Sequence, residues 1–137
     1  MSEANGGFPG REWGFFLDDM IAFAEKVLAY TTGVDRMRFA SDGLTYDATV
    51  RNLELIGEAA THIPQVVRDV SPAIPWRQVI ATRNRLIHGY LGIDDDILWS
   101  IIQDDLPLLL VNLKNLKERI RSEDGLSGQW DRMGVHA

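Results

Sequence analysis

Apolar side chains recur at three- and four-residue steps along most of the chain, which is the pattern of amphipathic helices. The first stripe predicts a helix that begins at Arg11 and ends at a Thr-Thr-Gly stop over residues 31–33. A second stripe predicts a helix over residues 44–62, which Pro64 ends and which carries apolar side chains on more than one side. The segment between them, residues 34–43, is interpreted as a turn or a short helix.

Prolines delimit the elements of the second half. They leave room for a short helix at residues 65–70, and Pro75 suits the first turn of a helix that should end near Gly89. Residues 94–96 are expected to open the last helix, which runs to about Arg121 and which Pro107 should kink or divide. No strand-like alternation is present. The sequence therefore predicts an all-α fold, an antiparallel bundle of four main helices plus a short helix.

The two ends of the chain lack this periodicity. Residues 1–10 are rich in Gly and Pro and predict a flexible N-terminal arm. Residues 122–137 predict a mobile tail, with docking of Trp130 against a neighbour as an alternative. The helical domain is accordingly placed at residues 11–121.

Composition narrows the class of protein. The 137 residues are 45% hydrophobic and 25% charged, which fits one soluble globular domain. A net charge of −6 argues against coating nucleic acid through bulk positive charge, and the absence of cysteine excludes disulfides and thiolate chemistry. No apolar run approaches the ~20 residues that span a bilayer, and no signal peptide is visible. We therefore expect a cytoplasmic protein with no membrane contact.

Residues 71–93 form a local exception to the acidic charge, because they contain no Asp or Glu. They do contain Arg77, Arg83, Arg85 and His88, a cationic strip that suits an RNA backbone, with Arg77 and Arg85 as candidate RNA-binding residues. The alternative is a solvated helix face whose arginines pair with acids on other helices.

The spacing within this strip suggests a chemistry. Asn84 and His88 are four residues apart and share a helix face, so the amide can orient the imidazole. Arg83 and His88 are five apart, roughly 140° around the helix axis, so joint action requires a concave surface or a second copy of the chain. This favours a symmetric homodimer whose two motifs face one cleft.

Histidine is the natural proton-transfer group near neutral pH, and arginine supplies forked donors for a phosphate. RNA carries its own nucleophile in the 2′-OH, so neither a metal nor another cofactor is required. The alternative interpretation is that His88 is a structural residue that forms hydrogen bonds near a helix end.

These residues carry a family resemblance. The run that ends at Tyr90 is similar to the R-x-x-x-x-H-x-Y signature of HEPN-domain ribonucleases, in the HepT-like toxin branch. Four other segments between about Arg11 and Arg121 resemble the same branch: Tyr30-Thr-Thr-Gly33, residues 50–60 (VRNLELIGEAA), Ile74-Pro-Trp-Arg77 and Asp104-Asp-Leu-Pro107.

The resemblance implies a homodimeric, metal-independent endoribonuclease toxin in a type VII-like toxin–antitoxin system of the HepT/MntA type. Its antitoxin would be a cognate minimal nucleotidyltransferase. Arg83 and His88 would form the catalytic pair, with Asn84 as the orienting residue. Tyr90 would accept AMP, whose negative charge and bulk would obstruct the RNA site; the alternative is a tyrosine ring packed at the helix end.

Three further features have open interpretations. Glu58 shares a polar arc with Arg51 and Glu54, and either supports one of the strip's arginines or belongs to a solvated arc of ion pairs. The three aspartates at 94–96 point in three directions, which favours capping over a divalent site, so no metal is predicted. His62 lies at a helix end, where a cation suits the dipole, and is assigned no chemistry.

Two other functions remain as alternatives. One is a non-catalytic HEPN module that binds nucleotides or presents substrate to a nucleotidyltransferase; the intact pair of Arg83 and His88 argues against it. The other is a helical dimer used only for protein interaction, against which the acid-free strip argues weakly.

Overall fold

The computed structural model describes residues 12–89 and 93–133, with side chains described as far as residue 122. These ranges contain helices and no strand, which confirms the all-α prediction. The helices are α1 (Glu12–Thr31), α2 (Arg36–Ser41), α3 (Gly43–Thr61), α4 (Gln65–Asp69), α5 (Trp76–Ile87), α6 (Asp95–Ser100) and α7 (Leu106–Met133), with a π-helical turn, Ile101–Asp105, between the last two.

Helix α3 lies at the centre of the bundle, with α1 and α5 packed against it and α7 packed against α1. The apolar stripes predicted for these helices supply the core. Its buried members are Met20, Ala24 and Val27 from α1, Leu53, Ile56 and Ala60 from α3, and Leu109, Leu113 and Leu116 from α7. Burial of these stripes is the main driving force that holds the helices together.

Local capping fixes where the helices begin and end. Asp35 and Asp42 accept hydrogen bonds from the backbone N–H groups three residues on, at 2.8 and 3.2 Å, and so start α2 and α3. Hydrogen bonds from Thr45 hold the pKa of the Asp42 carboxyl below its usual value. At the end of α1, Gly33 adopts a φ of +75°, the conformation of a helix-terminating glycine.

The interruption predicted at Pro107 is confirmed. Proline has no N–H and its ring clashes with the carbonyl four residues back, so an unbroken α-helix is disfavoured here. The chain resolves this with the π-helical turn, in which the N–H of Leu106 donates to the carbonyl of Ile101, five residues earlier.

The aspartates at 94–96 engage three different partners. Asp94 accepts from the N–H of Ile97 at 2.8 Å, which confirms the predicted cap of α6. Asp95 accepts from the Tyr46 hydroxyl at 3.1 Å, and Asp96 forms an ion pair with Arg36. These contacts tie the start of α6 to α3 and α2.

The predicted end of the last helix is wrong: α7 continues past Arg121 to Met133. The Gly and Ser residues on which that boundary rested lower helix propensity by at most about 1 kcal/mol each, too little to stop an established helix. The side chain of Trp130, the predicted arm at residues 1–10 and residues 134–137 lie outside what the structure describes. Within the described part, no helix combines the length and the apolar character needed to cross a membrane.

Candidate functional site

The site is built where α5 crosses α3, and Gly57 sets the distance between the two helices. A β-carbon on Gly57 would lie 2.1 Å from Cβ of Arg83 and 3.1 Å from the carbonyl oxygen of Val79. Only a glycine permits this approach. The sequence-based interpretation of Gly57 as a close-packing residue is confirmed, and the contact sets the side chain of Arg83 against the polar arc of α3.

The guanidinium of Arg83 is held from two sides. Nη2 donates to Oε1 of Glu58 at 2.6 Å, and Nη1 donates to Oδ1 of Asn84 at 3.0 Å. The Nε atom is buried and has no hydrogen-bond partner among the described residues. Because the side chain is still 28% exposed, the remaining Nη protons can reach a ligand from solvent.

His88 stands at the end of the same helix. It is the C-terminal cap of α5, its backbone N–H donates to the carbonyl of Asn84 at 3.1 Å, and the residue is exposed. Oδ1 of Asn84 accepts a hydrogen bond from Arg83, and the role of Asn84 in orienting the imidazole stays a prediction. Within one chain, therefore, Arg83 is hydrogen-bonded to Glu58 of α3, whereas His88 is an exposed residue just beyond the last residue of α5.

Glu58 has a second partner that the sequence analysis missed. Its Oε2 lies 3.3 Å from Nε2 of His62, one helical turn further along, and the His62 ring stacks on Phe16 of α1 with centroids 4.3 Å apart. The four-residue spacing of Glu58 and His62 was the available signal. His62 was interpreted only as a cation at the end of a helix, which did not anticipate either contact.

The other two members of the polar arc pair with each other. Arg51 Nη1 lies 3.4 Å from Oε1 of Glu54; the Arg51 side chain is 69% exposed and that of Glu54 is 20% exposed. Glu58 thus contacts the motif arginine, as the first interpretation of the arc proposed, whereas Arg51 and Glu54 form a separate ion pair in which only the arginine is well exposed.

The two other arginines of the strip are exposed. Arg77 lies seven residues before Asn84, so both project from nearly the same side of α5 as His88, within about 40°. Arg85 occupies another side of the helix. The predicted AMP acceptor, Tyr90, lies outside the described residues. Across the described ranges, no three His, Asp or Glu side chains are grouped closely enough to hold a metal ion.

A groove of about 310 Å³ lies beside the motif helix, between α5, α3 and α7. Its floor includes Leu53, Ile56 and Leu109, and its rim on α5 includes Gln78 and Thr82. Leu108, on the α7 side of the groove, is 62% exposed. The side of α5 that carries Gln78 and Thr82 is therefore bordered by open apolar surface.

Comparison with known proteins gives one consistent result. The family described as "Ribonuclease HepT-like" matches residues 20–116. A Methanocaldococcus jannaschii protein whose name assigns it as an RNase, MJ1380, is 38% identical over 92 residues, which cover 67% of this chain and 84% of that protein. A Thermococcus cleftensis protein named as ribonuclease HepT is 34% identical over 103 residues, covering 75% and 94%. No solved structure matches the chain.

Proposed function

This chain belongs to the HepT-like ribonuclease family, and we propose that it is a metal-independent endoribonuclease that uses Arg83 and His88. Membership confirms the family and the ribonuclease class predicted from the motifs. The observation that supports the proposed site is the arrangement of Arg83, whose guanidinium donates to Glu58 and to Asn84 yet stays partly exposed on an acid-free strip.

The proposed reaction is attack of the RNA 2′-OH on the adjacent phosphorus. His88 takes the proton of the 2′-OH, the new bond from the 2′-oxygen to phosphorus forms, and the bond to the 5′-oxygen breaks. The departing 5′-oxygen accepts a proton from water, which leaves a 2′,3′-cyclic phosphate and a 5′-hydroxyl. The free Nη protons of Arg83 bind the phosphate and stabilise the charge that develops on its oxygens.

The working unit in this proposal is a homodimer. Arg83 is hydrogen-bonded to Glu58 of α3, and His88 follows it by five residues, roughly 140° around the helix axis, so in this proposal one chain does not present both side chains on a single surface. A second copy, placed with its α5 against the first, would bring the arginine of one chain and the histidine of the other into one cleft. The groove beside α5, together with the exposed side chains of Ile87 and Leu108, offers apolar surface for such a contact.

Control of the enzyme by a second protein is part of the proposal. We propose that the chain is the toxin of a type VII-like toxin–antitoxin system, and that a cognate minimal nucleotidyltransferase transfers AMP to Tyr90. Each AMP adds a phosphodiester charge two residues from His88, where it would compete with RNA for the arginines. The support for this step is the sequence motif.

Cleavage of RNA in EDTA tests the catalytic part. Arg83→Ala and His88→Ala should each lower the cleavage rate by about 10²–10⁴, because each removes one charge-stabilising donor or one general base. The wild-type products should carry 2′,3′-cyclic phosphate. Arg51→Ala is the matched control, since it removes an exposed arginine that pairs with Glu54, and it should cleave at the wild-type rate.

The same experiment distinguishes a nuclease from the other candidate function, a non-catalytic binding module. If the wild-type protein binds RNA or nucleotides but does not cleave, the chain is a binding or substrate-presenting module. A His88→Ala variant within a few-fold of the wild-type rate would remove His88 from the mechanism.

A further inference from the structure

His62 is a titratable residue that the proposed mechanism does not use, although it contacts the site. We propose that His62 is a positioning residue, which holds Glu58 in the orientation that fixes Arg83 and is itself held by Phe16. The inference rests on the proposed function, because it assigns His62 an effect on that reaction through two other side chains. It does not place His62 in contact with RNA.

The contacts of Arg83 show why Glu58 matters more than Asn84. Asn84 is the next residue on α5, so its bond to Nη1 moves with the arginine and does not fix it relative to the rest of the protein. The bond from Nη2 to Glu58 joins α5 to α3 over 25 positions of sequence. Among the described contacts of the guanidinium, this is the one that ties it to another helix.

Glu58 in turn requires a second contact to stay in place. Its side chain is 47% exposed, and a long exposed carboxylate has several rotamers of similar energy. Its two oxygens are divided between two partners, with Oε1 at 2.6 Å from Arg83 and Oε2 at 3.3 Å from His62. The second contact therefore selects the rotamer in which the first is made.

His62 is anchored independently of Glu58. As the C-terminal cap of α3, it donates its backbone N–H to the carbonyls of Ala59 and Ala60. Its ring lies nearly parallel to that of Phe16, at an interplanar angle of 15°. Stacking on a partly buried ring of α1 limits the orientations of the imidazole, whose side chain is 47% exposed. The series Phe16, His62, Glu58, Arg83 thus runs from a ring packed against the core to the site.

An ordinary surface ion pair is the competing explanation, since exposed pairs four residues apart on a helix contribute little. The two explanations differ in what depends on the pair. If the contact is only a surface pair, its loss should change neither the order of the Arg83 side chain nor the rate of cleavage. If it is a positioning contact, its loss should change both, and only through Glu58.

The first measurement does not depend on nuclease activity. Relaxation of the ¹⁵N nuclei of the Arg83 side chain should report an ordered guanidinium in the wild-type protein and a clearly more mobile one in His62→Ala. His62→Gln should restore the order, because its amide Nε2 can still donate to Glu58. Glu54→Ala is the control, since it removes another carboxylate of α3 that pairs with Arg51, and it should leave Arg83 unchanged.

The second measurement is the kinetics of RNA cleavage by the same variants. Small displacements of a phosphate-binding group cost up to about 10²-fold in rate, so His62→Ala should lower kcat by about tenfold with little change in KM. His62→Gln should recover most of the loss. In a Glu58→Ala background, His62→Ala should cost nothing further, because the two residues act in series.

Three outcomes would overturn the inference. One is an Arg83 side chain that stays equally ordered in His62→Ala, whatever the nuclease activity. Another is wild-type kcat in that variant, and the third is a full additional loss in the Glu58→Ala background. Failure of the wild-type protein to cleave RNA would refute the proposed function instead, and the relaxation data would then decide the positioning role alone.

Discussion

Gly57 of α3 and Arg83 of α5 lie so close together that a β-carbon on residue 57 would be 2.1 Å from Cβ of the arginine. Real β-carbons do not approach to this distance, so any other side chain at position 57 must displace α5 or bend α3. The arginine proposed to bind the phosphate is thus placed by a residue on a different helix. Helix packing and the geometry of the site depend on the same contact.

The first prediction follows from this contact. Gly57→Ala should lower the free energy of unfolding by about 1–3 kcal/mol, the usual cost of overpacking a close contact. It should also lower the rate of RNA cleavage, because Arg83 is pushed away from Glu58. Urea denaturation and initial cleavage rates measure the two effects.

Gly14→Ala supplies the control for Gly57→Ala. Gly14 also lies in a helix, but a β-carbon there would have no atom within 4 Å. Alanine should therefore stabilise the protein by up to about 1 kcal/mol through helix propensity and leave cleavage unchanged. Equal effects of the two substitutions would contradict the packing argument.

The sequence predicted most of the fold because periodicity and capping act locally. The two stripes that contain Met20 and Leu53 supply much of the core, and Asp94 caps α6 as expected. The end of α7 was missed because weak helix formers do not stop an established helix. The polar residues of the site were predicted individually, but the pairing of Glu58 with an arginine was left open between two interpretations.

The pairing could not be predicted because it depends on how α3 and α5 cross. Glu58 was predicted as a possible support for one of the strip's arginines, but the sequence does not show which arginine or whether the contact forms. The structure selects Glu58, since it lies next to Gly57, where the two helices touch. Contact between Phe16 and His62 likewise depends on the packing of α1 against α3.

The second prediction concerns the dimer. Sedimentation at micromolar concentration should show two chains per particle. If each cleft combines the arginine of one chain with the histidine of the other, mixed dimers of Arg83→Ala and His88→Ala should contain one intact cleft and recover activity that neither variant has alone. A monomer, or mixed dimers with no recovered activity, would contradict the shared cleft.

The third prediction separates a cap from a metal site at the start of α6. Asp94→Ala should lower the free energy of unfolding by about 1 kcal/mol, because the N–H of Ile97 loses its acceptor. Asp94→Asn keeps an acceptor oxygen and should cost less. Thermal unfolding of the wild-type protein should not change when Mg²⁺ or Ca²⁺ is added; a rise in Tm with either ion would indicate a divalent site instead.

The last prediction concerns Tyr90 and the proposed control by AMP transfer. Tyr90→Phe keeps the aromatic ring but removes the phenolic oxygen, so a cognate nucleotidyltransferase supplied with ATP and Mg²⁺ should have no acceptor on it. Intact-mass spectrometry should show AMP on the wild-type protein and none on Tyr90→Phe. The chain has three tyrosines, and Tyr30, which is 41% exposed, provides the control: Tyr30→Phe should accept AMP like the wild type.

Because the added phosphodiester competes with RNA for Arg83 and Arg85, modified wild-type protein should lose nuclease activity. Tyr90→Phe should remain an active nuclease in the presence of the transferase, and AMP that persists on this variant would place the acceptor elsewhere.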